Sequence, residues 1–164
     1  MNVGQMKEAH LARHLDIFAR QLSLRVIATE VKIGAYRLDA VAIDSSGELV
    51  VIEFKVNAHI TTLSQLLLYP HALSKALKAK NVTPPPIRAV LITTHLDTNL
   101  VEVASGLSGC APIEAWVCVG SVSGELALVA PRDAGEQAWD QSMRGTHRID
   151  EILQSVGVTS GFTG

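Results

Sequence analysis

Tyr36-Arg37-Leu38-Asp39-Ala40-Val41-Ala42-Ile43-Asp44 and, after Ser45-Ser46-Gly47, Glu48-Leu49-Val50-Val51-Ile52-Glu53-Phe54-Lys55 decide how this chain folds. Both halves are rich in β-branched and apolar residues and read as strands over 36–44 and 48–56. Between them Asp44-Ser45-Ser46-Gly47 has turn chemistry, because Asp and Ser bond to local backbone amides and Gly accepts a positive φ. A β-hairpin is therefore predicted. Alternate side chains of a strand share a face, so Glu53 and Lys55 point one way while Ile52 and Phe54 point the other. Asp39 and Glu53 stand at nearly equal offsets from the turn, which lets the hairpin bring the two carboxylates to similar heights.

Two neighbouring carboxylates repel when both ionise, and a hard divalent cation relieves that repulsion. Such a cation binds a phosphate oxygen and lowers the pKa of a water, while Lys55 can orient that water or stabilise developing charge. These are the groups that hydrolysis of a phosphodiester needs. An isolated E-x-K on a strand reads first as an ordinary surface ion pair; the apolar-flanked Asp39 one strand earlier gives this one its weight.

Outward from the hairpin, residues 5–21 read as one amphipathic helix with Leu11, Leu15, Phe18 and Leu22 at helical spacing, and 24–33 as a β-branched strand. Residues 61–80 look helical through Leu63, Leu66, Leu67, Leu73 and Leu77, with a kink or break expected at Pro70, which lacks an amide hydrogen. Thr83-Pro84-Pro85-Pro86 is a stiff connector. Strands follow over 87–93, 113–120 and 125–130, with helices over 97–105 and near 148–153, and a frayed tail over 155–164. The order αβββαβ predicts an α/β protein, a mixed central sheet flanked by helices. It is expected to form one domain over 1–154.

Composition bounds the rest. The 164 residues are 48% hydrophobic and 18% charged, which excludes a largely disordered chain. The longest apolar runs fall far short of the roughly 20 residues that span a bilayer. Residues 1–8 carry no secretory signal pattern, so a cytoplasmic protein is expected. Cys110 and Cys118 fit small core thiols in a reducing compartment. The net charge of −2 speaks against a generic polyanion binder, yet the first 88 residues are net positive and the acidic excess lies in 89–164. His10 and His14 lack the Glu of an HExxH pair, His59 is a weaker phosphate candidate, and no phosphate-binding glycine-rich motif is present. Trp116 and Trp139 read as core or interface anchors.

Arg37-Leu38-Asp39 followed by Glu53-Phe54-Lys55 resembles the PD-(D/E)xK nuclease superfamily, whose αβββαβ core carries an acid on its second strand and (D/E)-x-K on its third. Leu38 replaces the usual Pro, but the R-(I/L)-D form is frequent in the RecB-like branch and in the catalytic domain of NucS-type mismatch endonucleases. Gln65-Leu66-Leu67-Leu68-Tyr69 matches the Q-x-x-x-Y motif of RecB-like members, although Pro70 directly after it departs from the pattern. Glu8 matches the acid on the family's first helix, and Glu30 an acid often found before the motif strand. The resemblance covers roughly residues 5–93 and is densest over 30–69.

It implies a restriction-endonuclease-like core that hydrolyses DNA with Mg2+ or Mn2+. Asp39, Glu53 and the backbone carbonyl of Phe54 would hold the metal and Lys55 would position the water. Glu8 and Glu30 would be auxiliary acids, and Gln65 and Tyr69 would support substrate geometry. Arg37, Lys75, Lys78 and Lys80 are candidates for phosphate contacts. A domain this small and slightly acidic would capture DNA weakly, so a homodimer or a protein partner is expected. The rival reading is a catalytically silent nuclease-fold module acting through protein–protein interaction. RNA as substrate stays open, since nothing in the sequence separates ribose from deoxyribose.

Overall fold

The predicted hairpin forms as β2 (Tyr36–Ile43) and β3 (Leu49–Ala58) in the structure, a computed structural model that describes residues 7–107, 112–120 and 125–131. Its turn is held by Asp44, whose Oδ1 accepts from the Ser46 N–H, the Ser46 hydroxyl and the Glu48 N–H at 2.6–3.0 Å. The hydrogen bond from the Ser46 side chain is the main reason that the Asp44 carboxyl sits below its usual pKa. Gly47 supplies the positive φ, +88°, that the turn requires.

Before the hairpin lie α1 (Glu8–Ala12), α2 (Leu15–Gln21) and β1 (Arg25–Ile33). After it come α3 (Thr62–Lys78), β4 (Ile87–Leu96), α4 (Thr98–Gly106), β5 (Ile113–Gly120) and β6 (Leu126–Val129). The sheet order is β1-β2-β3-β4-β5-β6. Pairing is antiparallel among β1, β2 and β3, parallel among β3, β4 and β5, and antiparallel again at β6. The expected αβββαβ core and mixed, helix-flanked sheet are thus present, and the fold is restriction-endonuclease-like.

One face of the sheet carries the core built by Leu11, Leu15 and Phe18 of α1 and α2 on Val50, Ile52, Phe54, Val90 and Ile92. Each such side chain, fully buried, contributes about 1.5–3 kcal/mol. The opposite face holds two clusters: Tyr69 and Leu73 of α3 on Leu38, Val41 and Val51, and Leu66 with Leu100 of α4 on Ala89 and Leu91. At the far edge the Gln21 amide acts as a short piece of strand. Its Nε2 donates to Leu126 O (3.2 Å), and its Oε1 accepts from the Leu128 N–H (2.9 Å).

Two sequence expectations need correction. The single helix over 5–21 is two helices, broken at Arg13 and His14, where the His14 ring nitrogen Nδ1 takes the His10 carbonyl oxygen as partner at 2.8 Å. Of the kink or break expected at Pro70, the break does not occur: α3 runs from Thr62 to Lys78 with the proline inside it. Buried Leu66 and Tyr69 before it, and Ala72 and Leu73 after it, anchor both halves to the same sheet face, and that packing outweighs the lost amide bond. The helix near 148–153, the tail, the 154 boundary, Cys110, Trp139 and His147 lie outside the described residues. Cys118 is a buried free thiol, raised by burial to a pKa of about 11. No helix among the described residues is long and apolar enough to cross a membrane.

Candidate active site

Pairing of β2 with β3 runs in register from Ile43↔Leu49 to Ala40↔Ile52. One step beyond that last pair stand Asp39 and Glu53. There the ladder changes: the Phe54 N–H donates to Asp39 Oδ2 (2.9 Å). A carboxylate has taken the part of a strand carbonyl, so it lies in the gap between the two strands. Packing records the same event. Ala40 and Ala42 belong to the core under α1 and α2, whereas Leu38 packs under α3 together with Val41. The Tyr36 ring lies 6.0 Å from that of Tyr69, on the same side as Leu38. Residues two apart share a face in a regular strand, so the alternation of β2 inverts at Asp39.

Glu53 is 2% exposed. Its Oε1 lies 3.0 Å from Lys55 Nζ, the neighbour that the E-x-K spacing predicts on the same strand face. Its Oε2 is buried without a hydrogen-bond partner among the described residues. Such an orphan costs about 1–3 kcal/mol, which a water, an ion or a substrate oxygen at that point would offset. Burial first, and then the negative Asp39, push the Glu53 carboxyl up to about 7, against the opposing pull of Lys55. Lys55 is also bridged by Glu8, whose Oε1 is 3.7 Å from Nζ. Burial works to lower the Lys55 pKa, but the Glu53 hydrogen bond and the charges of Glu53, Glu8 and Asp39 leave it raised. One ammonium therefore serves three carboxylates, and the excess is negative.

The structure thus brings together Asp39, Glu53, Lys55 and Glu8. Glu30 and Arg37 form an ion pair with each other, both more than half exposed. Gln65 donates through Nε2 to the Tyr69 hydroxyl (2.8 Å). That pair sits over the hairpin, with Tyr69 against Leu38, Val41 and Val51. Lys75, Lys78 and Lys80 are exposed at the end of α3, where neighbouring Leu77 packs with Leu49 and Ile87 at the starts of β3 and β4. Lys75 is therefore about 15 Å along the helix from Gln65.

Sequence reasoning missed the Phe54 amide as the anchor of Asp39. It also missed Thr93 and Thr94, buried on β4, whose hydroxyls both donate to the carbonyl of Val56, the residue after Lys55 (3.1 and 2.8 Å). Two adjacent threonines directly after the apolar run Ala89 to Ile92 were the available signal.

Among the described residues, no group of three or more His, Cys, Asp or Glu side chains is placed to hold a metal ion. The donors at hand are two carboxylates, Asp39, anchored on the Phe54 N–H, and Glu53. That short, all-oxygen set suits Mg2+, which keeps several of its waters and takes one or two protein carboxylates.

No protein-family model and no curated protein sequence matches the chain. Solved structures do. A repair endonuclease from Pyrococcus abyssi superposes with a TM-score of 0.55 at 20% identity, over 68% of this chain and 46% of that one. EndoMS in complex with double-stranded DNA gives 0.52 at 20% identity, over 71% and 46%. The chain therefore has the restriction-endonuclease-like fold that these endonucleases share, and it spans under half of their length.

Proposed function

We propose that this protein is a metal-dependent nuclease that hydrolyses DNA phosphodiester bonds, as an endonuclease in repair, restriction or mobile-element processing. The observation that carries the reading is the buried Glu53 carboxylate, with one oxygen unpartnered, set beside Asp39 and paired with Lys55. The DNA bound by the structurally similar EndoMS supports the choice of substrate. Asp39, Glu53 and the Phe54 carbonyl would hold Mg2+ or Mn2+, and such an ion would supply positive charge to a phosphodiester and acidify a water.

The chain's own groups do the remainder. The Phe54 N–H fixes the Asp39 carboxylate, so that it meets its ligand without reorganising. Lys55, held by Glu53 and Glu8, keeps its proton and presents N–H donors to the attacking water and to the charge that develops on the phosphate. The water attacks phosphorus and gives up a proton to solvent, one P–O ester bond breaks, and the leaving oxygen takes a proton from solvent, so that one water is consumed overall. Gln65 and Tyr69 shape the substrate side of the hairpin. Arg37, Lys75 and Lys78 contact phosphates away from the cut, and a second copy or a protein partner supplies further recognition surface.

The test is cleavage of labelled single-stranded, duplex, mismatched and branched DNA, and of RNA, with Mg2+ or Mn2+ at low salt. Wild type is expected to cut DNA only with metal, and Lys55→Ala and Asp39→Ala to lose 10²-fold or more of that rate while keeping the wild-type circular dichroism. Cutting that survives both substitutions, or none by wild type on any substrate, overturns the reading in favour of a catalytically silent interaction module.

A further inference from the structure

Glu30 is a non-glycine residue with φ +53°, in the middle of a nine-residue strand. The β1–β2 register pairs Thr29 with Ala40 and Val31 with Leu38. Glu30 therefore lies directly across from Asp39. Cross-strand partners share a face, so the pairing with Ala40 sets Thr29, itself exposed, on the face that carries α1 and α2, whereas Val31 packs with Leu38 in the cluster under α3. Two residues apart on β1, the side chains point to opposite faces, as they do on β2. The two strands invert together, at one level, and on β1 the inversion falls on the residue in the left-handed region.

We infer that Glu30 is a positioning residue that acts through its backbone: its left-handed conformation lets β1 stay paired with β2 through the face switch that turns the Asp39 carboxylate into the gap against the Phe54 N–H. Without that adjustment β1 would keep its alternation, and the pairs on one side of Asp39 would lose their faces. Val31 and Leu38 would then leave the cluster under α3, or β2 would straighten and withdraw Asp39 from Phe54. The Glu30 carboxylate is not a ligand in this account. It is engaged with Arg37, on the same pair of strands.

The consequence for metal binding rests on the reading of Asp39 as a ligand; the consequence for the Phe54 amide does not. The experiment compares full-length wild type, Glu30→Gly, Glu30→Gln and Glu30→Val by site-resolved amide hydrogen exchange and by Mg2+ titration calorimetry. Glycine adopts the left-handed region freely, glutamine has about the backbone preference of glutamate without its charge, and valine resists that region most. Glu30→Gly and Glu30→Gln are expected to keep the Phe54 amide protected and Mg2+ affinity within about twofold of wild type. Glu30→Val is expected to speed Phe54 exchange tenfold or more, with residues 50–52 still protected, and to weaken Mg2+ by a similar factor. Should the valine chain not fold, Glu30→Ala takes its place, with faster Phe54 exchange expected than in Glu30→Gly. Loss of Phe54 protection in the glycine or glutamine variant, or its full retention in the valine or alanine one, overturns the inference. If wild type takes up no Mg2+, the metal reading fails while the exchange data still decide the role of Glu30.

Discussion

A carboxyl group held near pKa 7 inside the protein works against the stability of the metal-free fold at neutral pH. Glu53 has a folded-state pKa of about 7 against 4.5 ordinarily, so between those values the folded chain binds more protons than the unfolded one. The stabilising effect of that proton is complete below pH 4.5, declines as pH rises through 7, and is gone above it. The difference is about 3 kcal/mol. Glu53→Gln, neutral at every pH, is therefore expected to raise Tm at pH 8 and to change it little at pH 5, which thermal denaturation at the two values checks. Occupation by a divalent ion favours the ionised form, so Mg2+ affinity is expected to fall from pH 8 to pH 6, with proton release measurable by calorimetry in two buffers. At this scale the sequence was legible where spacing along a strand decides neighbours, as for Glu53 and Lys55. The contact of Asp39 with the Phe54 amide was hidden, because it depends on a strand leaving its alternation, and no period in the sequence marks that.

Elements here are shaped by what they pack on more than by local propensity. Pro70 removes one amide bond from α3 and the helix continues, because Tyr69 and Leu73 on either side are buried on the sheet. Restoring the amide by Pro70→Ala is expected to raise stability by about 1 kcal/mol or more, read from chemical denaturation. The N-terminal helix shows the reverse case: the periodicity of Leu11, Leu15 and Phe18 is continuous, and the chain still breaks at Arg13 and His14. The apolar stripe fixed which face is buried and left the backbone path to the fit against the sheet. Gln21 belongs to this scale too. Its two bonds to Leu126 and Leu128 complete a strand of only four residues. Gln21→Ala is expected to cost about 1–2 kcal/mol and to speed exchange of the Leu128 amide, with little effect on β3 and β4.

Across the whole molecule, three apolar clusters sandwich one mixed sheet, and the carboxylates lie where β2 and β3 part between them. A net charge of −2 gives little overall attraction for phosphates, and among the described residues Lys75, Lys78 and Lys80 gather at the C-terminal end of α3 while Arg37 is paired with Glu30. DNA binding by the isolated chain is accordingly expected to be weak, with a shallow dependence of log K on log salt, a slope of about −2 to −4 in fluorescence titrations. A steeper slope would indicate a broader basic surface than the described residues present. By itself the sequence determined the αβββαβ order, the hairpin and its turn, and the sharing of a strand face by Glu53 and Lys55, since each follows from residue chemistry within a few positions along the chain. Only the tertiary structure decided that Asp39 turns into the gap between strands, that Glu8 reaches Lys55 from another element, that the Glu30 side chain pairs with Arg37, and that Lys75 and Lys78 lie at the far end of α3. Those outcomes depend on how separate elements register and twist against one another, and burial on both faces of the sheet sets that balance.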